Sequence, residues 1–225
     1  MPRALPPLFA VLAALPALAE APAPADTPTE PFGSAAQLVL AQQTYLDAIA
    51  SGEVRPLLTA MQLARAVTLR PAPGWLRTAT GEMPPDAPVG AARPPDPAGE
   101  AALTIARNLA GDDPDLQDLV WDLDAQFPDP RSLTAVEVRA DLAPGETDEW
   151  RLPLFGQVAA EIGLIGDGDG PLEMTVLDEG GAPVCPGSAS SRPALCRLTP
   201  ERNGFFTVSV RNSGGMVNSY RLIGN

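Results

Sequence analysis

The sequence predicts an α+β fold in two segregated parts: a small helical N-terminal unit followed by a jelly-roll-like antiparallel β-sandwich. Three observations predict it. Between residues 34 and 127 apolar side chains recur at helical spacing. After Arg131 the pattern changes to seven or eight short strands, each bounded by Gly, Pro or Asp turn residues. Pro128 and Pro130 mark the change.

The elements run in chain order. Residues 1–19, MPRALPPLFAVLAALPALA, read as a signal peptide: Arg3 is the positive end, an apolar stretch comes next, and Ala17-Leu18-Ala19 is a small-x-small cleavage site. The product would begin at Glu20, and no later run is apolar and long enough to span a bilayer. Residues 20–33 form a Pro-rich, acidic linker. Ser34 looks like the N-cap of a first helix, with Leu38, Ala41, Tyr45, Ala48 and Ile49 on one face and Gly52 as its C-cap. A second helix is expected from Val54 to Leu69, stopped by Pro71 and Pro73. Residues 82–98 carry six Pro and predict an extended insert without regular structure. Helical spacing resumes from Gly99 to Ala110. A fourth helix is capped by Asp112 or Asp113, opens at Pro114 and buries Leu116, Leu119, Val120, Leu123 and Phe127. Residues 34–130 are thus a helical unit and 131–225 a sandwich. Alternation in the sandwich is clearest at Phe206, Val208 and Val210, with Thr207, Ser209 and Arg211 facing the other way.

Composition excludes much chemistry. The chain of 225 residues carries 28 acidic and 15 basic side chains and no His, for a net charge of −13. Every basic residue is Arg. Without His there is no Ser-His or Cys-His nucleophile pair and no imidazole base or metal ligand. Without Lys there is no Schiff base and no complete P-loop. The acidity argues against nucleic acid, which is bound by a basic face. An enzyme is therefore not expected.

Four ordered blocks after residue 131 resemble the bacterial pre-peptidase C-terminal domain family. Leu142 to Trp150 (LAPGETDEW) is similar to its opening turn and strand. Gly166-Asp167-Gly168-Asp169 with Leu172 to Asp178 is similar to its Gly-Asp loop and the strand after it. Gly204 to Asn212 and Asn218 to Leu222 are similar to its last two strands. The resemblance implies a jelly-roll-like sandwich, export, and a domain of the kind often appended to secreted peptidases, here without room for the peptidase. The chain departs from the family at Gly170-Pro171 and Glu173, which weakens an inherited ion site. It also departs at Thr175 and Leu177, which weakens an aromatic binding face.

Several residues stand out as candidates. Asp167, Asp169, Glu173 and Asp178 offer hard oxygen ligands on a permissive backbone, which calcium would take; a Gly-Asp turn with Asx hydrogen bonds explains the same residues. Asp129 and Asp148 are further ligands that such a site could draw on. No cofactor is required. Cys185 and Cys196, the only cysteines, are expected to form a disulfide in an oxidising compartment, the periplasm or the medium. Paired carboxylates such as Asp112-Asp113 and Asp122-Asp124 could be cast as a glycosidase pair, but a chain this acidic offers such pairs by chance. Of the three Trp, Trp121 and Trp150 are expected in the core and Trp75 is the candidate for an exposed partner contact. The leading reading is an exported non-catalytic binding or accessory protein with an unknown protein or polysaccharide partner. Its alternatives are a calcium-dependent adhesion or polymer-binding protein and a carboxylate-based hydrolase.

Overall fold

The computed structural model describes residues 1, 33–81, 83–90, 95–125 and 133–225. The expected signal peptide, the linker up to residue 32, Phe127, Asp129 and the Pro128/Pro130 boundary lie outside the described residues.

Four helices form: α1 (Ser34–Ser51), α2 (Val54–Arg65), α3 (Glu100–Ala110) and α4 (Pro114–Ala125). They bury Tyr45, Leu57, Met61, Ala106, Val120 and Leu123 against one another. Gly52 terminates α1 in the left-handed conformation, φ 73°, as a C-cap glycine does. Asp113 caps α4, accepting the Asp115 and Leu116 N–H groups at 3.0 and 3.2 Å. The cap of α1 differs from expectation. Ser34 is the first helical residue and makes no cap; the carboxylate of Glu161, from a distant strand, accepts the Gly33 and Ala36 N–H groups at 3.0 and 2.9 Å. A negative charge at this end also complements the helix dipole.

The second helix stops at Arg65 instead of reaching Leu69. Residues Val67–Pro71 form strand β1 and Leu76–Ala79 form β2. Val67 and Thr68 are β-branched and fit a pleated surface better than a helix turn. Pro71, which lacks an N–H, is tolerated because β1 is an edge strand.

The remaining strands are β3 (Leu133–Leu142), β4 (Thr147–Leu154), β5 (Ala160–Gly166), β6 (Leu172–Leu177), β7 (Pro183–Cys185), β8 (Ala194–Leu198), β9 (Gly204–Asn212) and β10 (Asn218–Gly224). They build two five-stranded sheets, β1-β3-β10-β5-β8 and β2-β4-β9-β6-β7. All neighbours are antiparallel except β1 and β3. The chain crosses between sheets at nearly every connection, and only β6 and β7 pair as sequential neighbours.

Between the sheets lie Leu152, Ile162, Val176, Val208, Val210 and Leu222, all fully buried. Each such side chain contributes about 1.5–3 kcal/mol. The expected alternation of β9 holds: Phe206, Val208 and Val210 point inward. Helix α1 covers the outer face of the first sheet, packing Leu38, Val39 and Ala41 near Ala135, Ile165 and Ile223. Gly163 permits this approach, since an added Cβ would stand 2.8 Å from Val39 Cγ2. Helices and sheets form one compact unit.

The two edges of the sandwich are each tied. At one edge the continuous segment of β1 and β2 joins both sheets. At the other, Cys185 on β7 is bonded to Cys196 on β8, with Cα atoms 5.9 Å apart. The described parts of the insert hold no helix or extended strand, only an isolated bridge between Val89 and Val217. The insert nevertheless lies on the sandwich: the Val217 N–H donates to Pro88 O at 2.8 Å, and Asp96 pairs with Arg221 at 3.1 Å.

Candidate functional site

The four residues expected around calcium do not share one place. Asp167 and Asp169 come after β5 at one end of the sandwich, and Asp178 comes after β6 at the other. Five residues of extended chain, about 17 Å, separate Glu173 from Asp178. Among the described residues no three carboxylates group as metal ligands. Asp167 accepts the Asp169 N–H at 3.1 Å and the Ser219 N–H at 2.6 Å, so its carboxylate organises the turn and ties it to β10. Asp178 accepts the N–H groups of Gly180 and Ala182 at 2.8 and 2.9 Å, which closes the β6–β7 turn.

Trp75 stands at the corner between β1 and β2, half-buried against the sandwich core. A Cβ on Gly224 would come within 2.7 Å of its Cζ2. Trp150 is in the core, as expected. Trp121 is not: it is 62% exposed, because the buried stripe of α4 runs through Val120 and Leu123 and turns the intervening indole outward. The Arg107 guanidinium lies over its ring at 5.6 Å and pairs with Asp124 at 2.7 Å.

The residues that carry the family resemblance meet in a buried network. Trp150 Nε1 donates to Tyr220 Oη at 2.7 Å, and Tyr220 Oη donates to Asp148 Oδ2. Arg77, on β2, pairs with the same carboxylate at 2.7 Å. Burial and the hydrogen bond to Asp148 hold the Tyr220 phenol well above its ordinary value of 10.0. Burial alone would lower the Arg77 value, but the hydrogen bond and charge of Asp148 outweigh it and raise it. Nearby, Asn212 Nδ2 donates to Leu142 O and Met216 O, and Asn218 Nδ2 donates to Gly170 O. These groups are spent on holding loops and sheets together.

The opposite end carries a feature missed in the sequence. A cleft of about 460 Å³ opens between the β6–β7 turn and the β8–β9 connection. Val184, Leu198 and Phe206 give it an apolar floor; Asp178, Glu179, Glu201 and Arg202 stand around it. Its wall is braced by the loop between β4 and β5. Gln157 has a left-handed φ of 61°, costly for a residue other than Gly. Its N–H donates to Pro200 O at 2.7 Å and its side-chain amide to Glu201 O at 2.9 Å. The Gly156 N–H donates to Asn203 Oδ1 at 2.8 Å. On the same loop Phe155 is 70% and Val158 55% exposed. The available sequence signal was the pair of apolar residues in the turn Phe155-Gly156-Gln157-Val158, a segment with no core to join.

No family model matches the chain, and no curated protein does. Solved structures are similar over 40% of it. One is the pre-peptidase C-terminal domain of a collagenase from Bacillus anthracis, at 15% identity and a TM-score of 0.34, with 87% of that chain covered. Another is PliG of Aeromonas hydrophila, a periplasmic inhibitor of g-type lysozyme, at 10% identity and a TM-score of 0.29, with 86% covered. A third is a family 35 carbohydrate-binding module from Clostridium thermocellum, at 11% identity and a TM-score of 0.24, with 90% covered.

Proposed function

We propose that the chain is an exported, non-catalytic binding or accessory protein that recognises its partner with one end of the sandwich. That end is formed by residues 155–159, 178–182 and 199–203. One observation carries the reading: Phe155 and Val158 are held out to solvent on a loop braced around a preformed cleft. Exposed apolar groups on a rigid frame bind with little ordering cost. The absence of His and Lys supports a non-catalytic role. The disulfide between the sheets, and the four blocks similar to an exported domain family, support a periplasmic or secreted protein.

Replacing both Phe155 and Val158 by Ser tests the reading. Both side chains are exposed, so the melting midpoint should move by no more than about 2 °C. Association with the envelope or medium fraction of the producing cell should be lost. Turnover of glycoside or peptide substrates by the purified protein, or undiminished association of the variant, would contradict it.

A further inference from the structure

The chemistry of this cleft narrows the partner, provided that this end is the recognition surface proposed above. Its floor is hydrocarbon: Phe206 and Leu198 lie at the mouth of the inter-sheet core, with Val184 on the lip. Around the floor stand three carboxylates and one guanidinium, Arg202. Asp178 is committed to its turn, and Glu179 Oε1 accepts the Phe205 N–H at 3.2 Å. Both carboxylates are thereby fixed in place.

We infer that the cleft takes the side chain of an arginine or lysine projecting from a protein partner. The aliphatic stem lies on Val184, Leu198 and Phe206, and the cationic head meets Glu179 and Glu201. Three lines of observation select this occupant. The carboxylates outnumber the single cation, which disfavours an anion and favours a cation. The net charge of −13 draws a basic partner at long range. Phe155 and Val158, both exposed on the loop that braces the cleft wall, supply the apolar surround that excludes water around an inserted anchor. The wall is set in advance: an added Cβ on Gly156 would come within 2.5 Å of the Arg202 Cα, so the bracing loop is seated directly on the cleft wall.

The test uses the 15N-labelled full chain with its disulfide intact. The probes are acetyl-Leu-Arg-Leu-amide, the same peptide with citrulline for arginine, and a neutral oligosaccharide, cellohexaose. The arginine peptide should shift the amide signals of Gly180, Glu201 and Gly204 saturably, while Asp169 and Ser219 at the far end stay still. The citrulline peptide should bind at least about fivefold more weakly, and so should the arginine peptide to a Glu179→Gln/Glu201→Gln variant. Should that variant fail to fold, salt supplies the second measurement: about 0.5 M NaCl should weaken the wild-type interaction by a similar factor. Equal binding of the two peptides, no shift up to about 10 mM peptide, or a response to cellohexaose alone would overturn the inference. Any of these alongside loss of envelope association in the Phe155/Val158 variant would leave the recognition end standing and remove only its cationic ligand.

Discussion

Tyr220 hands its phenolic hydrogen to Asp148, joining β10 of one sheet to β4 of the other inside the sandwich. The carboxylate is fully buried, so its remaining support comes from Arg77 on the edge strand β2. Changing Tyr220 to Phe leaves Asp148 and the Trp150 N–H each short of a partner, and should cost about 1–3 kcal/mol. Changing Arg77 to Ala should cost about 2–3 kcal/mol, less than for a fully buried pair because Arg77 is partly exposed. Urea unfolding of each variant measures both.

The two tyrosines give a prediction for high pH. Tyr45 is raised by burial and then by the charge of Asp96, and Tyr220 by burial and then by Asp148. The native state therefore keeps protons that the unfolded chain releases near 10.0. Stability from these groups is complete below that pH and falls as pH rises above it. Neither phenol of the folded protein should release its proton at the pH where the unfolded chain does, and the ionisation of Tyr220 should coincide with unfolding. Half the tyrosinate signal appearing while near-ultraviolet circular dichroism is unchanged would contradict the burial of one phenol.

Removing the disulfide by Cys185→Ser/Cys196→Ser should cost about 3 kcal/mol, the loop-closure entropy expected for a sequence separation of 11. The opposite edge, closed by β1 and β2, stays tied through the chain. The variant is expected to fold, with a lower denaturant midpoint and a slope equal to or slightly steeper than that of the parent, because its unfolded chain is less compact.

Asp167 separates a turn from a metal site. Its carboxylate serves two backbone N–H groups, so Asp167→Ala should destabilise by about 1–3 kcal/mol. That loss should be the same in EDTA and in millimolar calcium. A wild-type midpoint that rises with calcium, and no longer does so in the variant, would make this end a calcium site.

Glu161→Ala removes the cap of α1 and should cost about 1–2 kcal/mol, although the two lie far apart in sequence. Hydrogen exchange at residues 34–37 would localise the loss.

Much of this architecture was legible in the chain. Helix ends with local signals, Gly52 and Asp113, stand where spacing places them, and the inward alternation of β9 needed only its own residues. What was hidden depends on distant partners. The Glu161 cap comes from a strand more than a hundred residues away, so Ser34 looked sufficient. Strand β1 exists because β3 accepts it in parallel, an interaction that the helical spacing up to Leu69 could not reveal. Trp121 was misplaced by a single position on α4. The acidic residues at 167–178 looked close in sequence, but β6 carries them to opposite ends. The cleft arises from three loops adjacent only in space, and the apolar pair Phe155 and Val158 was its visible trace.

The most direct test places a photo-crosslinking amino acid at position 155 in the producing cell, with position 121 as an exposed control on α4. A discrete protein adduct is expected from position 155 and none from position 121. No adduct from 155, or an adduct from 121 alone, would contradict recognition by this end of the sandwich.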